Sequence, residues 1–167
     1  MISKRQFLAS GVSVVALASL GGLFGIGRAV SAKSGETFEV TKTDEEWRKN
    51  LTPEQYSVLR EEGTERPGSS PLNAEKREGT FNCAGCDLAV YDSKTKFESG
   101  TGWPSFWAAI DGAVGTKEDN TFFATRTEAH CARCGGHLGH IFDDGPEPTG
   151  LRHCINGVAM NFRPVTA

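Results

Sequence analysis

Hydrophobic and polar positions give the chain three textures. From Phe7 to Ile26 no charge interrupts a moderately apolar run, diluted by Gly11, Gly21, Gly22 and Gly25. From Thr43 to Gly63 two short segments each begin with a polar capping pattern. Thr43-Asp44-Glu45-Glu46 and Thr52-Pro53-Glu54-Gln55 have the form of capping boxes, in which the threonine and the residue three positions later each satisfy a free amide of the first turn. Pro53 falls at the first helical position, where its missing N–H costs nothing. The spacing predicts two short helices with a stop at Gly63, followed by a loop at Arg66-Pro67-Gly68-Ser69-Ser70-Pro71. From Gly79 onward short β-rich runs alternate with glycine breaks. They predict strands at Gly79–Cys83, Leu88–Tyr91, Lys96–Glu98, Thr121–Thr125, Glu128–Cys131, Leu138–Phe142, Arg152–Ile155 and Val158–Phe162.

This pattern predicts a mainly β, antiparallel domain with a helical lead-in. Residues 1–32 read as an export signal and 33–167 as one domain, with the lead-in at 43–63 and the β region at 79–163. Lys4 and Arg5 precede the uncharged run, and Val30-Ser31-Ala32 offers small residues before a cleavage point after Ala32. Ser3-Lys4-Arg5-Gln6-Phe7-Leu8 is similar to a twin-arginine export signal, with Lys4 in place of the first arginine. The expected location is the periplasm. The alternative is an uncleaved membrane anchor, since twenty uncharged residues reach across a bilayer.

Charge narrows the function. The chain has 18 basic and 21 acidic residues, and residues 1–32 contain three of the bases and no acid, so the remainder carries a formal −6. An acidic domain without a basic stripe argues against nucleic acid as the ligand. The remaining 135 residues make one monomeric domain, large enough for a core and helped by a metal staple.

The five cysteines divide as four plus one. Cys83/Cys86 and Cys131/Cys134 are C-x-x-C pairs, the ligand pattern of a tetrahedral Zn–S₄ site. Four thiolates leave no open position, so one structural Zn²⁺ is expected, and no organic cofactor. Two disulfides are the competing reading for an exported chain.

Cys154 is left alone in Arg152-His153-Cys154-Ile155-Asn156. Alternation along a strand puts Arg152, Cys154 and Asn156 on one face, with a cation and an amide beside the thiol. A neighbouring cation lowers a thiol pKa and raises the nucleophilic fraction. His137-Leu138-Gly139-His140 lies upstream, and a bulge at Gly139 would turn both histidines into one pocket, where Asp144 is placed to orient one. That pair alone fits a second metal site or surface histidines equally well. His130 and His153 read as structural. In Ser99-Gly100-Thr101-Gly102-Trp103-Pro104-Ser105-Phe106-Trp107 the glycines and proline hold Trp103 on a loop, either covering a small apolar ligand group or roofing the core.

Together, Gly102-Trp103-Pro104-Ser105-Phe106, His137-Leu138-Gly139-His140 with Phe142-Asp143-Asp144-Gly145-Pro146, Arg152-His153-Cys154-Ile155-Asn156 and both C-x-x-C pairs resemble the B-type methionine sulfoxide reductases. The resemblance runs from about Asp44 to Pro164. It implies a zinc-clamped fold of two antiparallel sheets and reduction of the R epimer of methionine sulfoxide in oxidised proteins. Cys154 is then the nucleophile, and His140 or His137 the proton donor, aided by Asn156, Arg152 and Asp144. Trp103 packs on the substrate S-methyl group, and a Cys154 sulfenic acid is left behind. Many members place a resolving cysteine where this chain has Thr101, so an external thiol, thioredoxin-like or other, is the expected reductant. His153 replaces the usual Tyr or Phe on the face turned away from Cys154, with no loss of activity expected. Two other classes fit less well. A zinc-stabilised binding module has no need of an activated thiol, and a zinc hydrolase at His137 and His140 needs an open metal position.

Overall fold

Both capping boxes close as their sequences require. In the computed structural model, which describes residues 37–120 and 124–166, Thr43 Oγ1 accepts the Glu46 N–H at 3.3 Å while Glu46 Oε2 accepts the Thr43 N–H at 2.8 Å. Thr52 and Gln55 repeat the exchange at 3.2 and 3.1 Å. The first box opens α1, Asp44–Asn50, and the second opens α2, Pro53–Glu61. The stop falls at Glu62, which takes a left-handed φ of 57° one residue before the expected Gly63. Gly63 N–H then closes the turn on the Ser57 carbonyl at 2.9 Å. Residues 1–32, read as an export signal, lie outside the described residues.

Nine strands form two antiparallel sheets among the described residues. Strands β1 (Gly79–Cys83), β2 (Ala89–Asp92) and β9 (Met160–Pro164) make a three-stranded sheet in the order β2-β1-β9. The second sheet has six strands: β3 (Lys96–Phe97), β4 (Ser105–Phe106), β5 (Val114–Asp119), β6 (Arg126–Cys131), β7 (His137–Phe142) and β8 (Arg152–Ile155). Its order is β3-β4-β8-β7-β6-β5. The mainly β fold read from the sequence is therefore the observed one, with both sheets antiparallel.

Three expectations shift. Val158 belongs to a 3₁₀ turn, Gly157–Ala159, and β9 starts two residues later, at Met160. The strand expected at Thr121–Thr125 falls at 121–123 outside the described residues, and Ala124 and Thr125 are not in a strand. Strands β4 and β5 had no sequence signal. The first is two residues long, and the second, Val-Gly-Thr-Lys-Glu-Asp, is an edge strand with one large apolar residue and charges that blunt the edge.

Aromatic rings join the sheets. Phe81 of the small sheet meets Phe106 of the large one edge-on at 4.9 Å, and Tyr91 stacks on the same Phe106 at 4.3 Å. All three are fully buried. The helices cover the other end, where Leu59 packs on Gly136 and Arg60 donates to the Cys134 carbonyl at 3.1 Å. Trp47, beneath Arg60, lies against Gly85.

Candidate active site

The two C-x-x-C pairs fold into matching knuckles. Cys83 ends β1 and Cys131 ends β6, and in each the N–H four residues on returns to the cysteine carbonyl: Asp87 to Cys83 at 2.8 Å, Gly135 to Cys131 at 2.9 Å. Asp87 and Gly135 both sit at positive φ, 62° and 66°. The four sulfurs lie within 4.8 Å of one another, with Cys83–Cys134 at 3.7 Å and Cys86–Cys131 at 3.5 Å. Zinc–sulfur bonds of about 2.3 Å in a tetrahedron separate sulfurs by about 3.8 Å. The donor set thus fits one tetrahedral ion, and all five cysteines are free thiols rather than disulfides.

Cys154 lies on β8, between Ser105 of β4 and His140 of β7 in register. Three residues separate His137 from His140, which in a regular strand would oppose them. The pairing of β6 and β7 is irregular: Ala129 faces Gly139 while His130 faces His137, so Leu138 is an extra residue. That bulge brings the two rings together, edge to face at 5.4 Å. Gly139 is required beside it, because a Cβ there would collide with the Cys154 carbonyl.

Each histidine has a carboxylate behind it. His140 Nε2 lies 2.8 Å from Asp119 Oδ2, which also takes Arg126 at 2.6 Å. His137 Nδ1 stands 3.0 Å from Glu128 Oε1, with Lys117 on the other carboxylate oxygen at 3.0 Å. Burial lowers the pKa of His140, and Asp119 only partly offsets it. Burial raises Glu128, but His137 and Lys117 outweigh it and keep the carboxyl below its ordinary value.

Arg152 is buried beside Cys154 and held by a bidentate pair to Asp144, 2.8 Å at both Nε–Oδ1 and Nη2–Oδ2. Its guanidinium also lies over Phe142 at 4.4 Å. Arg152 keeps the Asp144 carboxyl below the usual carboxylate range. For Cys154 the balance differs from the expectation of a lowered pKa. Burial raises the thiol, and Thr101 and Arg152 pull it down by less, so the resting residue is a thiol.

Asn156 is placed differently from the strand-face reading. β8 ends at Ile155, and the Asn156 amide donates to the Leu138 carbonyl at 3.0 Å while its oxygen accepts the Glu65 N–H at 3.0 Å. It anchors backbone, and among the described residues no hydrogen bond joins it to Cys154. His153 turns away from Cys154 as expected; its Nδ1 meets the Tyr91 hydroxyl at 3.2 Å, and burial lowers its pKa to about 4. His130 is likewise buried, edge-on to Phe38.

Trp103 is half-buried, outside the core cluster, with its indole N–H on the Glu65 carbonyl at 3.2 Å. Gly100 and Gly102 turn its loop at φ 74° and 94°, and a Cβ on Gly102 would press into Pro67. Glu65 had no sequence signal. Its carboxylate accepts the Gly157 and Val158 N–H groups, so this one residue ties Trp103, Asn156 and the turn after β8 together. Ser99 and Ser105 likewise carry no sequence signal. Thr101 Oγ1 lies 3.9 Å from Cys154 Sγ and 2.8 Å from Ser99 Oγ. Ser99 Oγ lies 2.7 Å from Ser105 Oγ, which donates to the Trp103 carbonyl at 3.1 Å.

The site thus sets a thiol between a hydroxyl, a guanidinium, a buried imidazole and a half-buried one, with an aromatic ring on the adjoining loop. That set can carry nucleophilic thiol chemistry with proton transfer. Residues 51–164 match the SelR domain family. Among similar proteins, peptide methionine sulfoxide reductase MsrB of Methanosarcina barkeri is 56% identical over 125 residues, covering 74% of this chain and 88% of its own. The proteins of the same name from Pseudomonas putida strain W619 and Agrobacterium fabrum are 55% identical over 127 residues and 53% over 128. They cover 75% and 76% of this chain, and 96% and 95% of their own lengths.

Proposed function

The chain belongs to the SelR-domain family of methionine sulfoxide reductases, and from that premise we propose that it reduces the R epimer of methionine sulfoxide in oxidised proteins. The observation that carries this reading is the register that sets Cys154 opposite His140, with Arg152 and Thr101 beside the sulfur.

In the reaction, Cys154 passes its proton to the His137/His140 pair and its thiolate attacks the sulfoxide sulfur. The pair returns that proton to the oxygen, the hydroxyl passes to the Cys154 sulfur as the transient sulfur–sulfur bond and the substrate S–O bond break, and methionine leaves. Cys154 keeps the oxygen as sulfenic acid: the substrate sulfur is reduced by two electrons and the cysteine oxidised by two. Arg152, held by Asp144, favours the thiolate, and Trp103 offers its ring to the S-methyl group. The knuckle cysteines would hold one structural Zn²⁺, which stabilises the fold and leaves them out of the redox cycle. An external thiol then attacks the sulfenic sulfur and water leaves; a second thiol releases the mixed disulfide. Thr101, in the position of the resolving cysteine of other members, supports this external route. The uncharged run before Ile26 supports export, with the periplasm as the working compartment.

The test offers each epimer of methionine sulfoxide to the protein and to Cys154→Ser, with dithiothreitol as reductant. R-epimer turnover by the parent and none by the variant is expected. Equal rates in the two proteins, or turnover of the S epimer alone, overturns the reading. Fractionation of the producing cell for the protein tests its export.

A further inference from the structure

The hydroxyls beside Cys154 form a single file, and a proton count gives that file a direction. Each serine or threonine hydroxyl has one proton to donate. The far end of the file is the Trp103 carbonyl, which only accepts, so Ser105 spends its proton there. The 2.7 Å contact between Ser105 and Ser99 therefore uses the Ser99 proton. The 2.8 Å contact between Ser99 and Thr101 in turn uses the Thr101 proton, and the Thr101 N–H fills the other lone pair of Ser99 at 3.4 Å. Thr101 then has only lone pairs to turn toward Cys154 Sγ, so the thiol S–H donates to Thr101. Ser105 is fully buried, so water does not reach that end of the file.

We propose that Ser99 and Ser105 are positioning residues for Cys154: through Thr101 they hold the last hydroxyl as an acceptor, and the whole file must reverse before Thr101 can donate to a thiolate. The inference deepens the reading of Cys154 as the nucleophile and rests on it. Reversal moves each hydroxyl proton one contact toward the sulfur and gives up the bond to the Trp103 carbonyl. A Thr101 that donates would pull the thiol pKa down against burial, and the resting file withholds that donation until it reverses. Trp103 is also the residue whose ring is offered to the substrate, so the file links the backbone behind that ring to the state of the thiol.

The test is the rate at which iodoacetamide alkylates Cys154, read by mass on the Cys154 peptide of the full chain, across a pH series. Ser99→Ala and Ser105→Ala leave the Thr101 proton free to face the sulfur. Each is expected to speed alkylation at pH 7 about three- to tenfold, the effect of one ordinary hydrogen bond. In a Thr101→Val background Ser99→Ala is expected to change nothing. Unchanged or slower alkylation in Ser99→Ala, or a gain that persists with Thr101→Val, overturns the proposal. Ser99 is at the loop, so its variant decides the matter if Ser105→Ala fails to fold. Alkylation requires no sulfoxide turnover, so loss of the reductase reading and loss of this inference give different results.

Discussion

Gly139 faces the backbone of Cys154 across β7 and β8, with no room between them for a side chain. The contact sits one residue from the bulge that turns His137 and His140 to the same pocket, so it fixes both the proposed nucleophile and the proposed proton donors. Gly139→Ala must part the two strands where they carry the chemistry. Overpacking of this kind costs about 1–3 kcal/mol. The variant is expected to unfold at lower temperature and to lose turnover further than its folded fraction explains. Thermal unfolding beside initial rates checks this, and parent-like rates would show that the close approach is unimportant.

Glu65 links the loop after α2 to three parts of the site. Glu65→Ala leaves the carbonyl that holds the Trp103 indole, but it removes the carboxylate that fixes that carbonyl. The Gly157 and Val158 N–H groups lose their acceptor, at a cost of about 2 kcal/mol. Because Trp103 is proposed to bind the substrate and Glu65 to act through it, KM is expected to rise by more than kcat falls. Steady-state kinetics on a methionine sulfoxide peptide separates the two.

Local chemistry made much of this molecule legible in the sequence. Thr43 and Thr52 announce helices because a capping box lies within four residues. The cysteine knuckles are legible for the same reason, and a lone Cys154 follows by subtraction. Asp119 and Glu128 were not legible as histidine partners. Each is an ordinary strand acid until the pairing of β5, β6 and β7 brings it to His140 or His137. Asn156 shows the opposite failure. Strand alternation holds only to Ile155, where β8 ends; at Asn156 the chain turns and the amide finds backbone partners instead of the thiol.

Metal removal should act on the fold rather than on the chemistry. The knuckle sulfurs anchor β1 of one sheet and β6 of the other, and α1 and α2 pack on the same knuckles through Trp47, Leu59 and Arg60. Structural zinc contributes on the order of 10 kcal/mol to small domains, comparable to the whole stability of a protein this size. One zinc per chain is expected by metal analysis, and a strong chelator at moderate temperature should collapse the circular dichroism spectrum together with activity. Cys86→Ser should show the same loss without chelator. A folded, active protein after complete metal removal would refute the clamp.

Arg152 should govern how the rate depends on pH. Burial raises the pKa of Cys154, so the thiolate is scarce at neutral pH and grows as pH rises through and beyond the ordinary thiol value. The single-turnover rate with methionine sulfoxide is expected to climb over the same interval. Arg152 pulls in the other direction by favouring the thiolate, and Asp144 keeps the guanidinium in place while adding an opposing charge. Arg152→Met removes the favourable charge from a half-buried sulfur, so the rise should move to higher pH and the rate at pH 7 should fall about tenfold or more, the scale of one charge-assisted contact. Arg152→Lys should fall between the two proteins, because an ammonium keeps the charge but not the two-point fit to Asp144. A profile that stays in place in Arg152→Met would mean that some other group sets the thiolate fraction, and it would remove Arg152 from the activation of Cys154.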